Sequence, residues 1–140
     1  MLFRSRSKGR PERTVDYRQG ELEALPLEDG EVDVVFSHLV WHHLADHVAC
    51  AREVLRVLRP GGIAVLSDLV PHDADWMRER MGDLRLGLKQ DELVAVLARA
   101  GLQDVRAEPL VDRYRVASPA GEPAEFPLFV VRGEKPAAGV

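Results

Sequence analysis

The sequence is short of cysteine, of net charge and of long apolar runs, and each shortage removes a class of function. Cys50 is the one cysteine among 140 residues. A lone thiol between Ala49 and Ala51 builds neither a disulfide framework nor a thiolate metal cluster, and it points to a reducing compartment. The formal net charge is −4, a balance that calls for neither nucleic acid nor an anionic membrane surface. No apolar run approaches the ~20 residues that cross a bilayer. Met1-Leu2-Phe3-Arg4 lacks the apolar core of a secretory signal, so a cytoplasmic protein is expected.

What is present suffices for one domain with a real core: 140 residues, 46% of them hydrophobic. The centre is the run from Val32 to Asp68. Val32, Val34, Val35 and Phe36 read as a strand buried on both faces, entered from a turn at Asp29-Gly30. Asp46 is placed to cap a helix whose apolar face carries Val48, Ala51, Val54, Leu55 and Leu58. Pro60-Gly61-Gly62 cannot continue that helix, and a second buried strand runs from Ile63 to near Asp68. Strand, helix, strand in this order makes the two strands parallel neighbours, so the chain is α/β at its centre.

Either side of this unit the signals are more varied. Residues 1–13 carry Arg4, Arg6, Lys8, Arg10 and Arg13 against Glu12 and read as a basic flexible tail. Thr14, Val15 and Tyr17 suggest a short strand that runs into a loop at Pro26. After Asp68, Asp73 is a candidate cap for a short helix with Trp76, Met77 and Met81, stopped at Gly82. Leu93, Val96, Leu97 and Ala100 make the apolar face of a further helix, with Gly101 at its left-handed end and Lys89 as a weak start. Val105 to Val111 reads as a strand, Ser118 to Pro127 as a loop, Leu128 to Val131 as a final strand and 133–140 as a tail.

Four stretches together resemble a known family: QGELEALPLEDGEVDVVFS, HLVWHHLAD, LRVLRPGGIAVLSD and WMRERMGDLRLGLKQDELVAVLARAGLQDV. They are similar to the C-terminal two-thirds of a class I S-adenosylmethionine-dependent methyltransferase. The group is that of the type 11, quinone-methyltransferase-like enzymes and the domains attached to ArsR-type regulators. The resemblance implies a Rossmann-like sheet of order 3-2-1-4-5-7-6 with its last strand antiparallel. Here strands 3-4-5-7-6 are expected, strand 3 being the Val15 segment, and strands 1 and 2 are missing. The truncated domain is expected over 14–132. The 140 residues hold no Gly-x-Gly-x-Gly, the turn on which this family rests its cofactor, and Gly61-Gly62 belongs to a helix end. Without strands 1 and 2, the Val32 strand should expose an apolar edge. That edge could recruit a second copy or a missing N-terminal half.

The resemblance also assigns candidate residues, each with a plainer reading. S-adenosylmethionine is the implied cofactor and a small molecule the implied methyl acceptor. Glu21 and Leu22 would meet its adenine; the alternative for Glu21 is a solvated carboxylate. Ser37, His38 and Leu39 leave the C-terminal end of the Val32 strand, where open α/β sheets place ligands. They would lie along the methionine part, with His38 as polar contact or general base, or as a merely structural histidine. His38/His42 and His43/His47 are each four apart, but only a helical segment would turn that spacing into a metal site, and no metal is expected. His43 is expected to pack beneath the loop beside Trp41. Asp68, His72 and Asp73 follow the next strand and could orient an acceptor, whereas Trp76, Met77 and Met81 read as core. The functional expectation is methyl transfer, incomplete in this chain alone. The alternatives are a non-catalytic remnant or interaction module of the same fold, and a fragment without independent function.

Overall fold

A computed structural model describes residues 2–4, by backbone path alone, and 15–138. Its elements are β1 (Leu2–Arg4), β2 (Val32–His38), a 3₁₀ turn (Trp41–His43), α1 (His47–Val57), β3 (Leu58–Leu69), α2 (Trp76–Met81), α3 (Gln90–Ala100), β4 (Gln103–Ala117) and β5 (Pro123–Glu134). They form one α/β unit around a five-stranded sheet of order β1-β2-β3-β5-β4. β2 and β3 are parallel, and β5 runs antiparallel to both β3 and β4. The parallel central pair and the antiparallel last strand are therefore as the sequence predicts. Among the described residues, no helix is long and apolar enough to cross a membrane.

The crossover follows from local chemistry. Asp46 caps α1 by accepting from the Ala49 amide at 3.0 Å. The buried face of the helix is Cys50, Ala51, Val54 and Val57; Val48, expected in that face, is half exposed. This face and Leu93 and Leu97 of α3 pack with Val35, Ala64, Leu66, Phe129 and Val131 of the sheet in one main core. Each Val, Leu or Phe side chain among them contributes about 1.5–3 kcal/mol on burial. A smaller cluster joins Leu69, Met77, Phe126 and Leu128. At Pro60-Gly61-Gly62, Gly61 adopts a left-handed φ of +81°. A Cβ on Gly62 would lie 2.9 Å from the Asp33 carbonyl oxygen, so only glycine lets β3 start this close to β2.

Several expectations are corrected. The Val15 to Tyr17 segment is exposed coil. Arg18 holds it in a local loop by donating to Asp16, Glu31 and the Pro26 carbonyl, bonds that replace a strand ladder. The edge of β2 is not bare: β1 pairs antiparallel with it, Leu2 opposite Phe36 and Arg4 opposite Val34. β2 is buried on one face only, with Val32 and Val35 inside and Val34 and Phe36 exposed. Asp73 does not cap the short helix; Asp75 occupies the cap position and its side chain makes no cap bond. Lys89 offers α3 no side-chain cap, as expected of a weak start. The expected loop at Ser118 to Pro127 is a tight turn around Gly121 within a long β4–β5 hairpin. The expected tail at 133 begins later, because Lys135 exchanges backbone hydrogen bonds with Gly61 and Gly62 and its ammonium donates to the Leu58 carbonyl at 2.7 Å. The basic tail, apart from Leu2–Arg4, lies outside the described residues.

Candidate active site at the end of the parallel pair

Ser37, His38 and Leu39 leave β2 beside the last turns of β3, at the C-terminal end of the only parallel pair among the described strands. Ser37 is fully buried and its hydroxyl has no hydrogen-bond partner among the described residues. The exposed His38 ring meets the Ser67 hydroxyl through Nδ1 at 2.5 Å. Ser67 lies opposite His38 across the ladder. Leu39 has a φ of +57°, a conformation that costs a branched side chain about a kcal/mol or more. Its amide donates to the Ser67 carbonyl at 3.0 Å, which turns the chain sharply out of the sheet.

The loop that follows contains a second, buried group. Within the 3₁₀ turn His42 is buried, whereas His43, expected to pack beneath the loop, is exposed. Trp41 packs against His47, with ring centroids 5.5 Å apart, and His47 Nε2 bonds the Trp41 carbonyl at 2.7 Å. Asp68, at the end of β3, accepts from the His42 backbone amide at 3.0 Å and contacts His42 Nδ1 at 2.7 Å. Burial opposes charge on His42, but the Asp68 hydrogen bond and the Asp68 and Asp83 carboxylates outweigh it, so its pKa lies above the ordinary histidine value.

Asp83 is a residue the sequence reading missed. Gly82 ends α2 in the left-handed conformation, the Asp83 amide bonds the Met77 carbonyl at 3.3 Å, and the Arg85 amide bonds the His42 carbonyl at 3.0 Å. Gly87 then lets the loop pass directly over Val70, where a Cβ would collide with backbone. These contacts carry Asp83 under the 3₁₀ turn. His42 Nε2 lies 3.4 Å and His43 Nε2 3.8 Å from its Oδ1. Both carboxylate oxygens are buried without a hydrogen-bond partner among the described residues. No local pattern marks Asp83, because its partners are distant in sequence; an acidic residue directly after a helix-ending glycine was the only available hint.

The other candidates are dispersed. Glu21 is exposed in a turn closed by the Ala24 amide, and Leu22 packs on the main core. No described contact joins either to Ser37, His38 or Leu39. His72 stacks on Phe126 with centroids 4.7 Å apart, and burial lowers its pKa. Asp73 is exposed. Met77 is core, whereas Met81 is exposed and borders a 70 Å³ cavity with Leu39, His42, His43, Leu69, Asp83 and Tyr114.

Comparison with known proteins places this geometry. A family model described as a methyltransferase domain matches residues 1–66. The chain is similar to a probable S-adenosylmethionine-dependent methyltransferase of Mycolicibacterium smegmatis, with 49% identity over 53 residues, 38% of this chain and 21% of that one. It is also similar to phthiotriol/phenolphthiotriol dimycocerosates methyltransferase 1 of Mycobacterium ulcerans, with 36% identity over 87 residues, 61% of this chain and 32% of that one. The chain thus spans only about a fifth to a third of the length of these two relatives. Among solved structures, a putative methyltransferase of Bacillus halodurans superposes with a TM-score of 0.66, covering 93% of this chain and 75% of that one at 17% identity, a likeness of fold. With the Leu-Arg-Pro-Gly-Gly helix end, the parallel pair it joins and the antiparallel last strand all in place, the chain has the fold of the methyltransferases it is similar to.

Proposed function

We propose that the protein serves S-adenosylmethionine-dependent methyl transfer to a small-molecule acceptor, and that this chain contributes the wall of the cleft at the end of β2. The observation that carries the reading is the buried Ser37 hydroxyl without a partner, beside an exposed His38 ring tethered to Ser67. A buried hydroxyl left unpaired costs about 1–3 kcal/mol, and a polar ligand group at the strand end would satisfy it. The bound cofactor supplies an activated methyl group. Ser37 and the Leu39 turn would orient it, and His38 would hold or accept a proton from the acceptor. Catalysis of this kind rests mainly on in-line positioning. Glu21 and Leu22 would meet the adenine only if the 21–24 turn approaches the same ligand.

Hydrogen exchange of the 140-residue chain with and without S-adenosylhomocysteine tests this. The expected result is slowed exchange across 37–44, including the Leu39 amide. Unchanged exchange there at saturating ligand overturns the assignment of the wall.

A further inference from the structure

Three donor atoms from two separate elements converge beside the 70 Å³ cavity: His42 Nε2, His43 Nε2 and Asp83 Oδ1, all within 4.8 Å of one another. We propose that His42, His43 and Asp83 form a binding site for a divalent transition-metal cation of the zinc class.

Each ring is already oriented as a ligand. His42 Nδ1 faces the Asp68 carboxylate at 2.7 Å, and His43 Nδ1 faces the Gly82 carbonyl oxygen at 3.1 Å. Both partners accept, so both Nδ1 atoms carry hydrogen and each Nε2, near Asp83 Oδ1, keeps a free lone pair. A carboxylate behind a metal-binding imidazole is the usual outer support of such sites. Asp83 supplies the independent reason for a cation. Its side chain is 1% exposed and neither oxygen accepts a hydrogen bond among the described residues. An isolated buried carboxylate is expensive unless a positive charge meets it. An imidazolium at His42 is the competing source of that charge and lies 3.4 Å from Oδ1 as an ion pair, but it leaves Oδ2 unmet.

The spacing also fits. Ligands about 2.0–2.2 Å from a tetrahedral ion stand roughly 3.4 Å apart, close to the 3.4 and 3.8 Å separations from Asp83 Oδ1 to the two Nε2 atoms. Two imidazoles and one carboxylate favour zinc, cobalt, nickel or ferrous iron over magnesium or calcium. The cavity, walled by Leu39, Leu69, Met77 and Tyr114, leaves room for water as a fourth ligand. Such an ion would pin the loop after α2 to the turn after β2. The site does not depend on the methyl donor reading.

The test is titration of the metal-stripped 140-residue chain with Zn²⁺ by calorimetry, and with Co²⁺ by visible absorption, folding being checked by circular dichroism. One ion per chain at micromolar affinity or better is expected, with tetrahedral-type cobalt bands. Asp83→Asn should abolish stoichiometric binding, and Asp68→Asn should weaken it about 10–100-fold. Should Asp83→Asn not fold, His43→Gln, at a position whose side chain is 39% exposed, reports the same loss. No saturable binding by the folded chain overturns the proposal, as does binding undiminished in the folded Asp83→Asn or His43→Gln chain.

Discussion

Cys50 illustrates how one side chain's chemistry follows from its place on a helix. It is 1% exposed on the inner face of α1, and burial, with the nearby Glu23, Asp46 and Glu53 charges, pushes its thiol up to about 11. The thiolate is the reactive form, so the native chain should be inert to a thiol reagent at pH 8 and react fully once denatured. Rapid stoichiometric labelling of the folded protein would contradict this burial. Nothing in the cysteine's flanking alanines distinguishes that outcome from partial exposure. The same holds for the histidines. Their sequence spacing draws attention to pairs four apart, yet the turn is 3₁₀ and only three residues long, so adjacent His42 and His43 stack at 4.1 Å and share Asp83 instead. The position of Ser37, His38 and Leu39 at the end of β2 was legible because a strand end is a local feature, whereas that of Asp83 depends on two glycines that steer a distant loop.

At the scale of elements, the segment before β2 is tied to α1 by one cation. Arg56 donates to Glu53 at 2.5 Å, to the Leu25 and Leu27 carbonyls and to Asp29, while Glu53 also accepts from the Leu25 amide. The Arg56 hydrogen bond, with help from the Leu25 amide and against burial, holds Glu53 below the ordinary carboxylate value. A depressed folded pKa means stability that is present above the unfolded value of about 4.3 and lost as pH falls through the lower folded one. Glu53→Gln should therefore lower the urea midpoint at pH 7, and the deficit should shrink as pH falls below about 4. A deficit unchanged with pH would show that the charge is not what stabilises the segment. The Asp46 cap and the helix-ending glycines were readable because they act within one turn of their helices. The long β4–β5 hairpin was not, since Pro119, Gly121, Pro123 and Pro127 read as loop. Pro119 lies in the turn, and Pro123 and Pro127 lie in the stretch of β5 that pairs with β4 alone, its ladder with β3 beginning at Leu128, so one side of the strand lacks a ladder there and proline is tolerated.

For the molecule as a whole, the strand-helix-strand centre was written in apolar periodicity and in Pro60-Gly61-Gly62, whereas the antiparallel end came only from the resemblance of the four stretches. What periodicity could not supply was strand order at the open side of β2, which depends on which segment finds that edge. Leu2–Arg4 takes it, and the Val15 segment is held in a loop by Arg18. The described strands therefore present one parallel pair, with Ser37, His38 and Leu39 at its C-terminal end, and the central claim is that this end alone retains affinity for the methyl donor. Isothermal titration of S-adenosylhomocysteine into the purified 140-residue chain tests it most directly. Saturable 1:1 binding that Ser37→Ala and His38→Ala each weaken is the predicted result. A folded chain that takes up no ligand, or variants that bind as well as the parent, would contradict it.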